Sequence, residues 1–240
     1  MTRTALIIAH GQPSDPGPAA AELRQLGAKV AGLLPDWQLR SVTLAEDGGL
    51  EAMAGAMAPG VIFPMFMAGG WFTRVQIPRR LHEAALTGWR ILEPFGCDPA
   101  LHDLAVAIAA EVPRGAGLIL AAHGSFKSRV PSDIAAHVAR RIAAETGIAR
   151  VEAAFIDQPP RLSEMTGFGT EAICLPFFAA AGGHVTADIP EALAVAGFRG
   201  RILPPIGLYP AVPALIAEAI RRGRAVCAAD CAWKAEADRG

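Results

Sequence analysis

Short apolar runs alternate with stretches of helical periodicity along this chain. Residues 5–9 and 118–122 are almost wholly apolar, and each run leads into a stretch in which apolar side chains recur at helical spacing. Those side chains are Leu23, Leu26, Val30 and Leu33 in the first stretch and Ile134, Val138 and Ile142 in the second. Strands that are apolar almost throughout and alternate with helices are typical of a parallel sheet covered on both faces.

The same series of motifs occurs twice. Ala-His-Gly at 9–11 returns at 122–124, Ala-Gly-Gly at 68–70 returns at 181–183, and Ile-Pro at 77–78 returns at 189–190. Short words recur by chance, but several in the same order at nearly one offset indicate an internal duplication. We therefore divide the chain into halves at 1–113 and 114–221, with residues 222–240 as a C-terminal tail.

Each half predicts four strands. After the first strand, residues 38–43 and 151–156 predict the second, and an apolar run ending in Pro and then Gly-Gly predicts the third. Residues 90–92 and 201–203 predict the fourth. We expect an α/β fold of two similar lobes, each a four-stranded parallel sheet with helices on both faces.

Composition excludes several classes of protein. With 52% hydrophobic and 19% charged residues and a net charge of −1, the chain can bury a core and is not built to bind nucleic acid or an acidic membrane surface. No apolar run reaches the roughly 18 residues of a membrane span, and the N-terminal run is too short for a signal peptide, so we expect a cytoplasmic protein. The four cysteines form no disulfide framework, and Cys227 and Cys231 lack zinc-site spacing.

Two histidines follow predicted strands at the same sheet edge. His123 directly follows residues 118–122, and His184 lies in the predicted loop after residues 173–175. Parallel sheets bind ligands at the carboxyl ends of their strands, and a neutral imidazole suits Fe, Co, Ni or Zn or accepts a proton. One such histidine is more often a buried structural residue, but two in glycine-flanked loops favour function. Gly182 and Gly183 would let a ligand approach the backbone closely.

Polar residues near these histidines are further candidates. Asp157 ends the second strand of its half, where it could orient a histidine, accept a proton, or simply begin a loop. Ser125 and Lys127 lie in a polar loop that could hold substrate carboxylates, although such loops are usually only solvated. Asp188 is predicted to cap a helix whose free N–H groups lie near His184. In the first half, Glu46 and Asp47 take the place comparable to Asp157, whereas His82, His102 and His137 are predicted to be surface histidines.

The motifs around the two histidines resemble a known family. Ala-His-Gly-Ser at 122–125 and Leu-Pro-Phe-Phe-Ala-Ala-Ala-Gly-Gly-His-Val-Thr-Ala-Asp-Ile-Pro at 175–190 resemble the class II chelatases, and most closely the CbiX/SirB type of sirohydrochlorin chelatase in its fused, double-length form. The resemblance implies an enzyme of siroheme or cobalamin synthesis with no bound cofactor, which inserts Fe²⁺ or Co²⁺, its metal substrate, into a tetrapyrrole. Because one chain contains both halves, we expect the active protein to be a monomer. The resemblance also implies that His123 and His184 hold the metal and take up pyrrole protons. Because the sequence has no long His-rich tract, we favour Fe²⁺.

The two halves differ at the second histidine. The first half keeps His10 but has Trp71 where we expect the second histidine to stand, so we place catalysis in the second half. His10 and Trp71 then become candidates for contact with the macrocycle. The alternatives are a protoporphyrin ferrochelatase and a non-catalytic carrier of metal or tetrapyrrole. A serine hydrolase built on Ser125 is disfavoured because the Gly-x-Ser-x-Gly motif is absent.

Overall fold

A computed structural model describes residues 3–113 and 115–227. Within these residues the chain forms two compact units. The first unit contains the residues up to Asp98 together with those from Pro210 onward, and the second contains Pro99–Tyr209. Cys231, and the tail beyond Cys227, lie outside the described residues.

The first unit is built on a four-stranded parallel sheet. Its strands are β1 (Arg3–Ala9), β2 (Trp37–Thr43), β3 (Val61–Pro64) and β4 (Arg90–Ile91), in the order β2-β1-β3-β4. Its helices are α1 (Pro16–Gly32), α2 (Gly49–Gly55), α3 (Ile77–Glu83) and α7 (Val212–Arg222). Leu6 and Ile8 pack with Leu50 of α2 and Ile77 of α3, while Ala5 and Ile7 are equally buried. Helices therefore cover both faces, as the apolar strands predict.

The second unit repeats this topology. Its strands are β5 (Gly117–Ala122), β6 (Arg150–Phe155), β7 (Ile173–Pro176) and β8 (Arg201–Ile202), in the order β6-β5-β7-β8. Its helices are α4 (Pro99–Ala110), α5 (Val130–Thr146) and α6 (Ile189–Val195). All strand pairs are parallel in both sheets. The predicted α/β architecture of two four-stranded sheets is confirmed.

The last helix of each half packs away from the strands that precede it. α4 follows β4 in sequence but packs against α5, and α7 follows β8 but packs against α1. An ion pair between Arg222 and Asp98 and a strand-like bridge between Leu92 and Ala225 hold the end of the described chain to the first unit. The sequence repeat thus divides at 113/114, whereas the compact units divide at 98/99 and 209/210.

Helix periodicity predicted the buried faces well, with two exceptions. Ile134, Val138 and Ile142 are completely buried, but Leu33 is 42% exposed because α1 has ended before it. His102, predicted to be on the surface, is also buried, since α4 turns this face to α5 and its ring lies edge-on to His137. The error at Leu33 arises from the position of the helix end, and the error at His102 arises from packing against another helix.

No helix within the described ranges is long and apolar enough to cross a membrane.

Candidate functional site

His123 emerges where β5 ends, and the following glycine turns the chain. Gly124 has a φ of +75°, and a Cβ on it would lie 2.7 Å from Cγ of Gln158, so both conformation and space favour glycine here. The Ser125 N–H donates to Oε1 of Gln158 at 2.7 Å, which fixes the loop after His123. Gln158 is a structural residue of the site that the sequence pattern did not single out.

His184 begins a π-helical segment rather than lying in a loop. The segment His184–Asp188 continues directly into α6, and the Ile189 N–H donates to the His184 carbonyl oxygen. Asp188 has helical angles (φ −66°, ψ −39°) and makes no side-chain cap. The prediction that Asp188 caps a helix with free N–H groups beside it is therefore wrong, because the π-helical segment starts at His184, five residues before α6.

The two imidazoles of the second unit face each other. Nε2 of His123 lies 3.2 Å from Nε2 of His184, and the rings meet edge-on, with centroids 4.5 Å apart and an interplanar angle of 89°. Their side chains are 41% and 48% exposed, so the pair is open to a ligand. The predicted pair of histidines is thus brought together at one point.

A carboxylate lies behind each imidazole. Nδ1 of His184 is 2.6 Å from Oδ2 of Asp188, and Nδ1 of His123 is 3.3 Å from Oδ2 of Asp157 and 3.1 Å from the Gly124 carbonyl oxygen. Acceptors at both Nδ1 atoms favour the tautomer with the proton on Nδ1, which leaves an Nε2 lone pair for a metal ion. Asp188 was missed as a site residue; its spacing of four from His184, on one helical face, was the available signal.

The other predicted contact residues of the second unit lie in the segments that follow His123 and precede His184. The Ser125 hydroxyl oxygen accepts a hydrogen bond from the Lys127 N–H at 3.1 Å, and Lys127 is exposed. No atom lies within 4 Å of a Cβ built on Gly182 or Gly183. The two glycines therefore leave open space beside His184, and the packing of the protein does not itself require them.

In the first unit, Phe72 takes the place of His184. Phe72 begins the π-helical segment Phe72–Gln76, which leads into α3 as His184–Asp188 leads into α6. The His10 and Phe72 rings meet edge-on with centroids 4.6 Å apart at 86°, which closely matches the histidine pair of the second unit. The sequence alignment that placed Trp71 opposite His184 is wrong by one residue, because it followed Gly-Gly instead of the helix that comes after. Trp71 is 55% exposed and contacts the edge of Phe72.

At the positions of Asp157 and Asp188, the first unit has Ala45 and Gln76, neither of which carries a carboxylate. The Ala45 N–H donates to the His10 carbonyl oxygen as the Asp157 N–H donates to that of His123, so Ala45 stands at the position of Asp157. The expectation for Glu46 and Asp47 is therefore wrong, and the Glu46 carboxylate instead accepts hydrogen bonds from the N–H and hydroxyl of Thr43.

Comparisons with known proteins identify the family to which this fold belongs. The CbiX family model matches residues 117–223. A solved structure described as CbiX, the terminal enzyme for biosynthesis of siroheme in denitrifying bacteria, is 43% identical, with 92% of this chain and 99% of that chain covered at a TM-score of 0.84. This chain belongs to the CbiX family of sirohydrochlorin chelatases.

More distant structures share the fold of this family member. SirB from Bacillus subtilis, solved with Fe³⁺, is 13% identical at a TM-score of 0.72, with 93% of this chain and 96% of that chain covered. The DR2241 protein of Deinococcus radiodurans is 21% identical at a TM-score of 0.73, with 93% of this chain but only 56% of that chain covered. No curated protein sequence matches the chain. Membership in the family assigns the general activity, insertion of a metal into a tetrapyrrole.

Proposed function

We propose that this protein is a sirohydrochlorin ferrochelatase, which inserts Fe²⁺ to form siroheme, and that the second unit carries the reaction. The observation behind the proposal is the facing pair His123 and His184, each backed by a carboxylate. Iron is favoured over cobalt because the 43% identical structure is described as a siroheme enzyme and the sequence lacks a long His-rich tract.

The separation of the two Nε2 atoms suits a shared divalent ion. Bonds from imidazole nitrogen to a first-row metal are about 2.0–2.1 Å long, so two of them at an angle of about 90–110° hold the nitrogens about 2.8–3.4 Å apart. The observed 3.2 Å lies in this range. His123 and His184 can therefore bind one ion together without rearrangement.

The incomplete ligand set suits transfer of the ion better than storage. Within the described ranges, no group of three or more His, Cys, Asp or Glu side chains is arranged to hold a metal. Two imidazoles leave coordination positions for water and then for the nitrogens of the macrocycle. The protein can thus present Fe²⁺ and release it as the pyrrole nitrogens replace its ligands.

Removal of the two pyrrole protons needs an acceptor beside the ring. We propose that His123 releases the ion as the pyrrole nitrogens bind it, while His184 still holds it. The freed Nε2 of His123, with Asp157 behind the ring, then accepts the pyrrole protons one at a time and passes each to solvent, a general-base contribution of about 10²–10⁴-fold. Asp188 orients His184 for this task.

Six further residues are candidates for contact with the substrate. We propose that Lys127 and the Ser125 loop contact substrate carboxylates, that Gly182 and Gly183 admit the macrocycle beside His184, and that His10 and Trp71 contact its ring. Charge and exposure support Lys127, and the 55% exposed indole supports Trp71.

Anaerobic insertion kinetics test the proposal. Purified protein at substoichiometric concentration is mixed with sirohydrochlorin and, in separate runs, Fe²⁺, Co²⁺ or Ni²⁺, and product is followed by absorbance. We expect multiple turnovers, fastest with Fe²⁺, and little insertion into protoporphyrin. A single turnover indicates a carrier, faster insertion into protoporphyrin indicates a protoporphyrin ferrochelatase, and faster Co²⁺ insertion reverses the metal assignment.

We further propose that the active protein is a monomer, because one chain already contains both chelatase-like units. Light scattering at the concentrations used for kinetics checks this state. A tight dimer whose activity falls on dilution would contradict it.

A further inference from the structure

We infer that the first unit has the backbone frame of a second divalent-metal site. In this inference, only the side chains at positions 45, 72 and 76 prevent it from binding a metal ion. The inference rests on the proposed metal-binding role of His123 and His184. It assigns to His10, Ala45, Phe72 and Gln76 the positions that His123, Asp157, His184 and Asp188 hold in the second unit.

The strand end that carries His10 has the same backbone as the one that carries His123. Gly11 has a φ of +76° and Gly124 a φ of +75°. The Ala45 N–H donates to the His10 carbonyl oxygen at 3.0 Å, and the Asp157 N–H donates to that of His123 at 3.0 Å. An aspartate at position 45 therefore starts from the backbone position that Asp157 uses.

The ring at position 72 lies where an imidazole is needed. The centroid separation and interplanar angle of the ring pair differ by only 0.1 Å and 3° between the units, from 4.5 to 4.6 Å and from 89° to 86°. Nδ1 of His10 also contacts the carbonyl oxygen of the following glycine, as Nδ1 of His123 does. Phe72 therefore matches His184 in position and in ring-pair geometry. It differs in that its ring has no nitrogen with which to bind a metal ion.

Gln76, at the position of Asp188, has a side-chain acceptor without a donor in the described part of the chain. Gln76 directly precedes Ile77 as Asp188 precedes Ile189, each at the end of its π-helical segment. Oε1 of Gln76 is buried and has no hydrogen-bond partner among the described residues. A buried acceptor without a donor is destabilising, and the Phe72 ring has no N–H to donate. A histidine at 72 would supply that donor and, with an aspartate at 76, restore the pair seen in the second unit.

Cobalt binding without any tetrapyrrole tests the inference. The variants are F72H/A45D/Q76D, H123A/H184A, and the combination of all five changes, each titrated with Co²⁺ by calorimetry and by the visible absorption of bound Co²⁺. We expect one Co²⁺ per wild-type chain, two for the triple variant, none for H123A/H184A and one for the combination. The restored site should bind within about tenfold of the native one, since its ligands and supporting carboxylates are the same.

The outcomes separate this inference from the proposed function. A triple variant that binds one Co²⁺ with wild-type affinity, and none in the H123A/H184A background, overturns the inference and leaves the second-unit site intact. A wild-type chain that binds none, beside a triple variant that binds one, upholds the first-unit frame and overturns the proposed role of His123 and His184. If neither binds, both fall.

Because the second unit can bind Co²⁺ by itself, folding of the triple variant is checked separately, by comparing its circular dichroism and its urea unfolding transition with those of wild type. If the triple variant does not unfold cooperatively, Co²⁺ titration of the single variant F72H tests the inference instead. This variant should add a second Co²⁺ equivalent about 10–100-fold weaker than the first, because it lacks the supporting carboxylates. A cooperatively unfolding F72H chain with one equivalent overturns the inference.

Discussion

At the residue scale, His123 and His184 differ from His10 in the group that contacts Nδ1 of the imidazole. His123 and His184 each have a carboxylate at Nδ1 and face one another through Nε2. His10 has only the carbonyl oxygen of Gly11 at Nδ1 and a phenyl ring in front of it. The same residue type can therefore hold a metal in one unit and serve only as a contact surface in the other.

The histidine pair gives the first prediction. His123→Ala and His184→Ala should each lower kcat by about 10²-fold or more, since each removes a metal ligand or proton acceptor from the transition state. His10→Ala should act mainly on KM. His82→Ala, an exposed histidine on α3, is the matched control and should be near wild type. Inactivity of His10→Ala with normal turnover of His184→Ala would move the site to the first unit.

Asp188 gives the second prediction. Asp188→Ala should weaken Co²⁺ binding by about 10–100-fold, because His184 loses the acceptor that orients it and fixes its tautomer. Asp188→Asn, which keeps an oxygen acceptor, should recover part of that loss, and ¹⁵N shifts of His184 should report the tautomer in each variant. Gln76→Ala is the matched change in the first unit and should leave binding unaltered. Equal affinity in Asp188→Ala and wild type would exclude a positioning role.

Trp71 gives the third prediction. Trp71→Ala should raise KM for sirohydrochlorin, since stacking on a flat ring contributes about 0.5–1.5 kcal/mol beyond area burial, or about two- to tenfold. Co²⁺ binding without tetrapyrrole should not change, which separates this residue from the histidine pair. An unchanged KM would show that the exposed indole does not meet the macrocycle.

At the scale of elements, the π-helical segments decide which residues reach the site. Such turns are rare, occur mostly as single turns within α-helices, and are frequent at functional sites. In the second unit the π-helical turn begins at His184 and places Asp188 beside its ring. The first unit has the same turn but lacks the histidine and the carboxylate, so the backbone element does not depend on the metal-binding side chains.

The helix after the first of these segments is tied to α2 by an ion pair, which gives the fourth prediction. Arg80 binds Glu51 through two contacts of 2.5 and 2.7 Å, and this hydrogen bonding holds the pKa of Glu51 below its ordinary value of 4.5. Glu51→Gln should lower the free energy of unfolding by about 0.5–1 kcal/mol at pH 7, as measured by urea denaturation.

The pH dependence of this effect follows from its sign. A lowered pKa in the folded state adds stability at pH values above 4.5, and that stability is lost as the pH falls through the folded pKa. The difference between Glu51→Gln and wild type should therefore shrink below pH 4.5. Glu83→Gln, which removes the looser and exposed pair with Arg79 at 3.8 Å, is the control and should have little effect. Equal effects of the two changes would contradict the assignment.

At the scale of the whole molecule, the last helix of each half belongs to the other compact unit, which gives the fifth prediction. A fragment of residues 99–209 contains α4 and the whole second unit, so it should unfold cooperatively by circular dichroism and bind Co²⁺. A fragment of residues 114–221 loses α4 and exposes the buried face of α7, including Ile216 and Ile220. Exposing each isoleucine costs about 1.5–3 kcal/mol, so we expect this fragment to aggregate or unfold. Equal stability of the two fragments would contradict the exchange of helices.

The sequence by itself determined the strands, the parallel α/β fold class and the sheet edge that carries His123 and His184. Apolar runs and helical spacing are local signals, and a parallel sheet brings the carboxyl ends of its strands to one edge whatever the rest of the chain does. For that reason His123 and His184 could be placed at one sheet edge from the strand pattern, and the duplication could be recognised from repeated motifs.

Only the tertiary structure decided the rest. Asp188 could be read as a helix cap or as a histidine partner until the π-helical turn placed it, and Phe72 could be told from Trp71 only by the helix that follows. The burial of His102 and the exchange of α4 and α7 depend on contacts between helices far apart in sequence, which periodicity does not encode. A pattern fixes which face of a helix is apolar, but packing selects the partner that covers it.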